Sequence, residues 1–301
     1  MRIAITGATG FIGSNLSIAL EKNHQVIKIS RQSGAWNPDK KSYNPELFKN
    51  LDAVIHLAGE GIANKLWSKK QKEILYKSRV DATNFLCQIL KDSPPKVFIC
   101  SSGIGYYGSR ADETLDESST NGKGFLAELS RDWEAAADTL ATGNIAASTL
   151  KETRTIKLRL GMVLAKDGGA LKKMLLPFKL GIGGRIGSGN QYISWVSLED
   201  VISAIQFCIN NDSISGPINL CAPNPETNQS FSKKLASALS RPCIFPLPGF
   251  VVKLIFGEMG EELLLSSTRA RPEKLLRAGF KFQYENLEEV FRSPCRDVSR
   301  V

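Results

Sequence analysis

The stretch AITGATGFIGSNL, residues 4 to 16, sets Gly7, Gly10 and Gly13 three apart between an apolar strand pattern and an apolar helical pattern. Glycine inside a helix costs about 1 kcal/mol relative to alanine, so three at one strand-to-helix junction need a reason in the backbone. Gly7 permits a tight turn, Gly10 lets the main chain meet a pyrophosphate, and Gly13 allows a helix to pack closely on a strand. The helix N-terminus then offers unpaired N–H groups and a partial positive charge to phosphates. Spaced glycines alone are a weak signal. With a strand before them, a helix after them and βαβ units to follow, they read as a dinucleotide site.

The remaining pattern supports that frame. RIAIT (2 to 6) reads as a strand, followed by a helix from about 10 to 22; QVIKIS (25 to 30), DAVIHLAG (52 to 59), KVFICSS (96 to 102) and RTIKLRLG (154 to 161) read as further strands. Helices are expected over roughly 66 to 91, stopping before Pro94 and Pro95, and over 124 to 141. Strands alternating with helices predict an α/β fold, a doubly wound parallel sheet of the Rossmann kind. Beyond residue 165 the rhythm loosens. SLEDVISAIQFCIN reads as a helix with Ser197 and Asp200 in a capping arrangement, and GPINLCAP as another strand. The expected division is a nucleotide-binding domain over 1–165, completed by about 190–222, and a smaller C-terminal α/β lobe over 223–301, with 166–189 contributing to a substrate cleft.

Composition excludes several classes. At 301 residues with 42% hydrophobic and 23% charged residues, the chain has material for a large core, which argues against disorder. The longest apolar candidate for a membrane span, IFPLPGFVVKLIF (244 to 256), is broken by two prolines and a lysine. The chain enters strand pattern at Arg2, leaving no room for a signal peptide, so a cytoplasmic protein without a membrane partner is expected. Six cysteines scattered singly read as reduced thiols, and with His24 and His56 the only histidines no metal site is expected. The formal charge of +9 raises nucleic acid as a partner, but the densest basic stretch, KLWSKKQKEILYKSR (65 to 79), reads as a helix with Leu66, Ile74 and Leu75 inward and lysines in water. No nucleic-acid motif accompanies it.

The end of the second strand bears on the choice of dinucleotide. NAD sites usually place an acid there for the ribose 2′-hydroxyl. VIKISRQSG has none; Ser30 and Arg31 stand in its place, a hydroxyl and a planar cation suited to a 2′-phosphate. NADP is the expected cofactor.

TGATGFIG, DAVIHLAG and SSGIGYYG closely resemble the extended short-chain dehydrogenase/reductase superfamily, which includes the sugar-nucleotide epimerases. LAGEGI, SRVDAT, GYYGSR, the long run from LRLGMVLAKDGG to WVSLEDV, and RPEKLLRAGFKFQYENLEEVF resemble its epimerase-like atypical branch, whose members carry a C-terminal domain of unknown function. The resemblance covers nearly the whole chain. It implies a pyrophosphate over Gly7 to Gly13, with Thr9, Phe11 and Ile12 adding backbone contacts and Ser30 and Arg31 holding the 2′-phosphate. It also implies that Leu57, Ala58, Gly59 and Glu60 line the ribose and diphosphate, that Arg79 adds a cofactor contact, and that Ser101 and the stretch Leu160, Met162 and Val163 approach the nicotinamide.

The superfamily's Tyr-x-x-x-Lys pair, in which lysine lets a phenol of pKa near 10 act near neutral pH, is absent. Phe125 and Leu129 stand where it belongs. Candidate substitutes are Ser102 as a hydrogen-bond donor and Tyr107 as an acid, with Lys123 and the pair Tyr106 and Arg110 behind them. Three functions follow: an NADP-dependent oxidoreductase acting on a small carbonyl or alcohol with another proton source, a non-catalytic NADP(H)-sensing regulator related to cell division, or a nucleotide-sugar epimerase. A sensor would cover the nicotinamide with apolar side chains, for which Trp195, Met174 and Phe178 are candidates. A nucleotide-sugar enzyme would need basic groups in the lobe, for which Arg185, Arg269 and Arg271 are candidates.

Overall fold

In a computed structural model that describes residues 1–30, 34–142, 153–165 and 168–292, the apolar runs of the first part of the chain lie side by side in one sheet. In chain order the strands are β1 (Arg2–Thr6), β2 (Gln25–Ile29), the ribbon β3 and β4 (Trp36–Asn37 and Ser42–Tyr43), β5 (Ala53–His56), β6 (Val97–Gly103), β7 (Thr114–Leu115) and β8 (Arg154–Leu160). They continue with β9 (Met162–Ala165), β10 (Tyr192–Ile193), β11 (Trp195–Ser197), β12 (Gly216–Leu220), β13 (Glu226–Thr227) and β14 (Arg269–Ala270). Six of them form a parallel sheet in the order β12-β8-β6-β5-β1-β2. The chain leaves β1 toward β2 on one side and returns as β5 on the other, so a crevice opens between the C-terminal ends of β1 and β5.

Ile3, Ala4 and Ile5 are fully buried, as are Val54 and Ile55, because helices cover both faces of the sheet. On one face α1 (Phe11–Glu21) contributes Leu16 and Leu20 to a core shared with Val201 and Ile205 of α6 (Leu198–Asn210). On the other, Leu86 and Leu90 of α3 (Ala82–Leu90) pack with Trp133 and Leu140 of α4 (Phe125–Thr142).

The single helix expected over 66–91 is two helices. α2 (Lys69–Tyr76), capped by Ser68 accepting from the Gln71 N–H at 3.2 Å, runs into a wider π turn at Lys77–Asp81 before α3. Leu75 is buried as expected, but Leu66 is 57% exposed and Ile74 38%, so two of the three apolar positions assigned to the core face outward. The π turn shifts the helical face by one residue at Arg79.

After β9 comes α5 (Gly169–Lys179). The last part of the chain adds α7 (Asn228–Ala238), α8 (Gly249–Gly260), α9 (Glu273–Arg277) and α10 (Leu287–Arg292); α7 and α10 pack with α5 in a third core, while Leu275 of α9 joins the core shared by α1 and α6. That core also holds Trp195, Phe178 and, half-buried, Met174, so Trp195 and Phe178 are interior side chains. Its strands are ribbons of two residues, such as β10 against β13. The Ser197 cap forms, its hydroxyl oxygen accepting from the Asp200 N–H at 2.9 Å. The Asp200 carboxylate accepts from the Gln283 and Tyr284 N–H groups, at 2.6 and 3.1 Å, and so ties the cap to the lobe.

Among the described residues, Cys87, Cys100, Cys208, Cys221 and Cys243 are free thiols; Cys295 lies outside them. None of the described helices is long and apolar enough to cross a membrane.

Candidate dinucleotide site

The glycine turn has three different physical reasons, one for each glycine. Gly7 has φ +70°, and a Cβ there would stand 2.8 Å from Ala58 N and Leu57 C, so only glycine both makes the turn and clears β5. A Cβ on Gly13 would lie 2.2 Å from the Gly7 carbonyl oxygen, so α1 packs against the turn through bare backbone. Gly10 meets only that carbonyl, at 3.2 Å, and is exposed beside exposed Thr9.

Gly10 is also the N-cap of α1, with no side-chain cap and no acid in the first turn. The opening N–H groups at Phe11 and Ile12 are therefore left uncapped by side chains among the described residues, as an anion site requires. This cradle fits a pyrophosphate. The Phe11 ring packs under the turn at 168–169, where a Cβ on Gly168 would meet it at 2.2 Å.

The other residues assigned to the dinucleotide sit along the same edge. Leu57, Ala58, Gly59 and Glu60 follow β5; Ser101 is in β6; Leu160 ends β8 and Met162 opens β9. Leu57 and Leu160 also pack on the sheet core, Met162 on the lobe core. A cavity of about 180 Å³ is lined by Trp36, Asp39, Ala58, Gly59, Glu60 and Lys77, three of which are among the residues assigned to the dinucleotide. Ser30 directly follows β2, and Arg31 lies outside the described residues.

Arg79 faces the loop more than the crevice. Its Nη2 donates to the Glu60 carbonyl at 2.8 Å, its Nη1 to the Leu75 carbonyl at 3.3 Å, and the guanidinium lies 5.2 Å over the Trp133 ring. Burial lowers its pKa to about 10, partly offset by Glu60. These contacts make it a group that holds the 59–60 loop in place.

The two residues assigned to proton chemistry are committed elsewhere. Ser102 is buried and donates to Glu134 Oε1 at 2.8 Å. Tyr107 is fully buried; its hydroxyl proton is shared between Asn219 Oδ1 at 2.7 Å and the Asp116 carbonyl at 2.8 Å, and its oxygen accepts from Arg159 Nη1 at 2.9 Å. Burial drives the phenol above its ordinary range, and the pull of Arg159 and Asn219 does not reverse this. A phenol so placed is a poor acid, and Tyr107 and Ser102 both belong to an internal polar network.

At the centre of that network Arg159 Nε and Nη2 reach the two Glu134 oxygens at 2.8 Å each. Burial opposes the guanidinium charge, but the bidentate carboxylate more than offsets it and keeps the pKa above the ordinary value. Arg159 also lies 3.5 Å over the Tyr106 ring, which removes Tyr106 from pairing with Arg110; Arg110 instead grips Glu113 through two 2.8 Å bonds. Glu134 and Arg159 were not singled out in the sequence, although a signal was present. Each is a charged residue flanked directly by apolar ones, Trp133 and Ala135 for Glu134 and Leu158 and Leu160 for Arg159.

Phe125, at the tyrosine position, packs edge-on against Trp67 at 5.1 Å, with Lys72 Nζ 4.9 Å from its ring centre. The N–H groups of Phe125 and Leu126 donate to the Glu262 oxygens at 2.7 and 2.8 Å, so a lobe carboxylate caps α4. Lys123 is exposed just before this cap. Of the lobe arginines, Arg269 covers the Tyr192 ring at 4.8 Å and Arg271 pairs with Glu273 at 2.9 Å.

Residues 3–221 match the family model described as the NAD dependent epimerase/dehydratase family, and residues 247–293 match a domain of unknown function, DUF1731. The chain is 40% identical to epimerase family protein ML0860 of Mycobacterium leprae, over 96% of this chain and 94% of that one. The human epimerase family protein SDR39U1, crystallised with NADPH, superposes with a TM-score of 0.84 at 32% identity, covering 97% of this chain and 98% of that one. The Thermus thermophilus UDP-glucose 4-epimerase complex with NAD, at 16% identity and a TM-score of 0.71 over 97% of each chain, shares the fold. From the glycine turn to the lobe, this chain belongs to the NAD dependent epimerase/dehydratase family.

Proposed function

We propose that the protein binds NADP(H) and acts as an oxidoreductase on a small carbonyl or alcohol compound, without a tyrosine–lysine pair. The observation that carries the binding is the uncapped α1 N-terminus at Gly10, open on the side where a pyrophosphate would lie. The human relative crystallised with NADPH supports the phosphorylated cofactor, as does the Ser30–Arg31 pair in place of an acid. Free thiols among the described cysteines fit a reducing, cytoplasmic setting.

A bound nicotinamide supplies or accepts hydride at its C4. The chain's own part is to hold the diphosphate on bare backbone and to keep the 59–60 loop in place through Arg79. Because Ser102 and Tyr107 are engaged internally, the proton that balances hydride transfer comes from solvent or from the substrate itself. Acceptors that need no strong enzymic acid are favoured. An epimerase, which needs an acid and a base on one carbon, fits this site poorly.

A second reading, an NADP(H)-responsive regulator, rests on the clasp between Glu262 and the start of α4, which links the lobe to the helix beside the crevice. Calorimetric titration with NADPH and NADH tests the binding. Preference for NADPH that shrinks in Arg31→Ala supports it, and no heat with either nucleotide overturns it. A carbonyl screen that follows NADPH absorbance separates the two readings.

A further inference from the structure

Two stretches of this protein expose apolar side chains that a water-facing surface has no reason to carry together. On α5 and the turn after it, Leu176 and Leu180 are each 65% exposed and Ile182 58%. On α8, Phe250 is 72% exposed and Leu254, one helical turn on, 83%; Phe245, just before the helix, is 54%.

The stretches are neighbours. Leu247 N–H donates to the Arg185 carbonyl and Gly187 N–H to the Leu247 carbonyl, each at 2.8 Å. A Cβ on Gly184 would lie 2.0 Å from the Phe245 carbonyl oxygen. The exposed groups therefore form one face around a backbone seam. α8 is apolar on nearly every side, yet among its residues only Val252, Met259 and Gly260 are buried. A helix apolar all round normally lies inside a core.

The charge around this face has one sign. From 169 to 185 the chain carries Lys172, Lys173, Lys179 and Arg185, and from 241 to 256 Arg241 and Lys253, with no Asp or Glu in either stretch. The acids that follow on the lobe are engaged: Glu258 with Lys72 at 2.8 Å, Glu261 with Lys253 at 2.5 Å, and Glu262 with the α4 N–H groups. Lys253 is thereby neutralised by Glu261, and Lys173 donates to the Ala63 carbonyl at 3.0 Å, which leaves Lys172, Lys179, Arg185 and Arg241 as the exposed cations of the face. Across a two-fold axis this face would set cations against cations. It is matched instead by a surface that is apolar beneath and anionic at its rim, which is the interface of an acidic lipid bilayer.

We propose that the α5–α8 face docks on anionic membrane surfaces, with Phe250, Leu254 and Leu180 entering the interface and the surrounding lysines and arginines on lipid phosphates and carboxylates. Docking of this kind is peripheral. It departs from the expectation of no membrane partner, which rested on spanning segments alone.

The experiment is flotation of the full-length protein with phosphatidylcholine vesicles, with and without phosphatidylserine, at low and high salt. Flotation with phosphatidylserine vesicles that is reversed by salt is expected. A double variant, Phe250→Ser with Leu254→Ser, should lose partitioning by about tenfold or more, with an unchanged circular-dichroism melt because both side chains are exposed. Lys179→Glu should weaken binding to acidic vesicles alone. Absence of flotation with either vesicle overturns the proposal, as does equal flotation with both. It is also overturned if light scattering shows a dimer that the double variant splits, which would make the face a contact between copies.

Discussion

Arg159, on β8 beside the edge strand β12, holds Glu134 of α4 through two 2.8 Å hydrogen bonds, with both side chains below 10% exposure at 4% and 7%. This pair recruits Ser102 and Tyr107, the two groups that the motif pattern suggests for chemistry. Breaking a buried pair leaves an uncompensated charge, at a cost of about 3–5 kcal/mol. Glu134→Ala should therefore lower the unfolding free energy by that much, with a lower urea midpoint. A double replacement, Glu134→Met with Arg159→Leu, should cost less than either single change, as urea unfolding would show.

Tyr107→Phe separates structure from catalysis. Removing the hydroxyl leaves Asn219 Oδ1 and Arg159 Nη1 short of a partner, for a stability loss of about 1–3 kcal/mol. NADPH affinity should not move, and any turnover found in the carbonyl screen should persist. Loss of turnover with unchanged stability would return Tyr107 to the role of acid.

His56 couples stability to pH. It lies between Thr6 Oγ1 at 2.6 Å and Thr83 Oγ1 at 2.9 Å, and burial lowers its pKa from 6.5 to about 3. The unfolded chain binds the proton more readily, so the contribution is complete above pH 6.5 and is lost as pH falls from there toward 3. The expected slope is about 1.4 kcal/mol per pH unit in that window. Melting curves of the protein and of His56→Gln over this range check it: the variant should show the shallower slope.

Gly13→Ala places a methyl 2.2 Å from the Gly7 carbonyl. The helix must then move off the turn, and NADPH affinity should fall by about tenfold or more while the lobe stays folded. Calorimetry with limited proteolysis of the lobe as a control reads both.

Glu262→Ala removes the cap on the Phe125 and Leu126 N–H groups. The loss of a charged N-cap is worth about 1–2 kcal/mol. Hydrogen exchange should rise first at the start of α4, and restoring Gln at 262 should recover part of the protection.

How much of this was legible depended on whether the cause was local. The glycine turn was readable because each of its three constraints acts within a few residues of backbone. The strands were readable because burial on both faces demands continuous apolar runs. The sequence also showed that a phenol was missing at Phe125, since that is a matter of residue type alone. It did not show that helix 66–91 is broken by a π turn at Arg79, nor that Leu66 and Ile74 face outward. Both follow from packing against partners far along the chain. The fates of Ser102 and Tyr107 were equally hidden. A hydroxyl at a strand end reads as reactive until the distant Glu134, Arg159 and Asn219 arrive to claim it, and only the closing of β8 and β12 beside β6 brings them there. By itself, then, the sequence determined the dinucleotide cradle, because backbone conformation is a local property. The tertiary structure alone decided which polar side chains remain available for chemistry, because that depends on which partners folding brings within hydrogen-bonding distance.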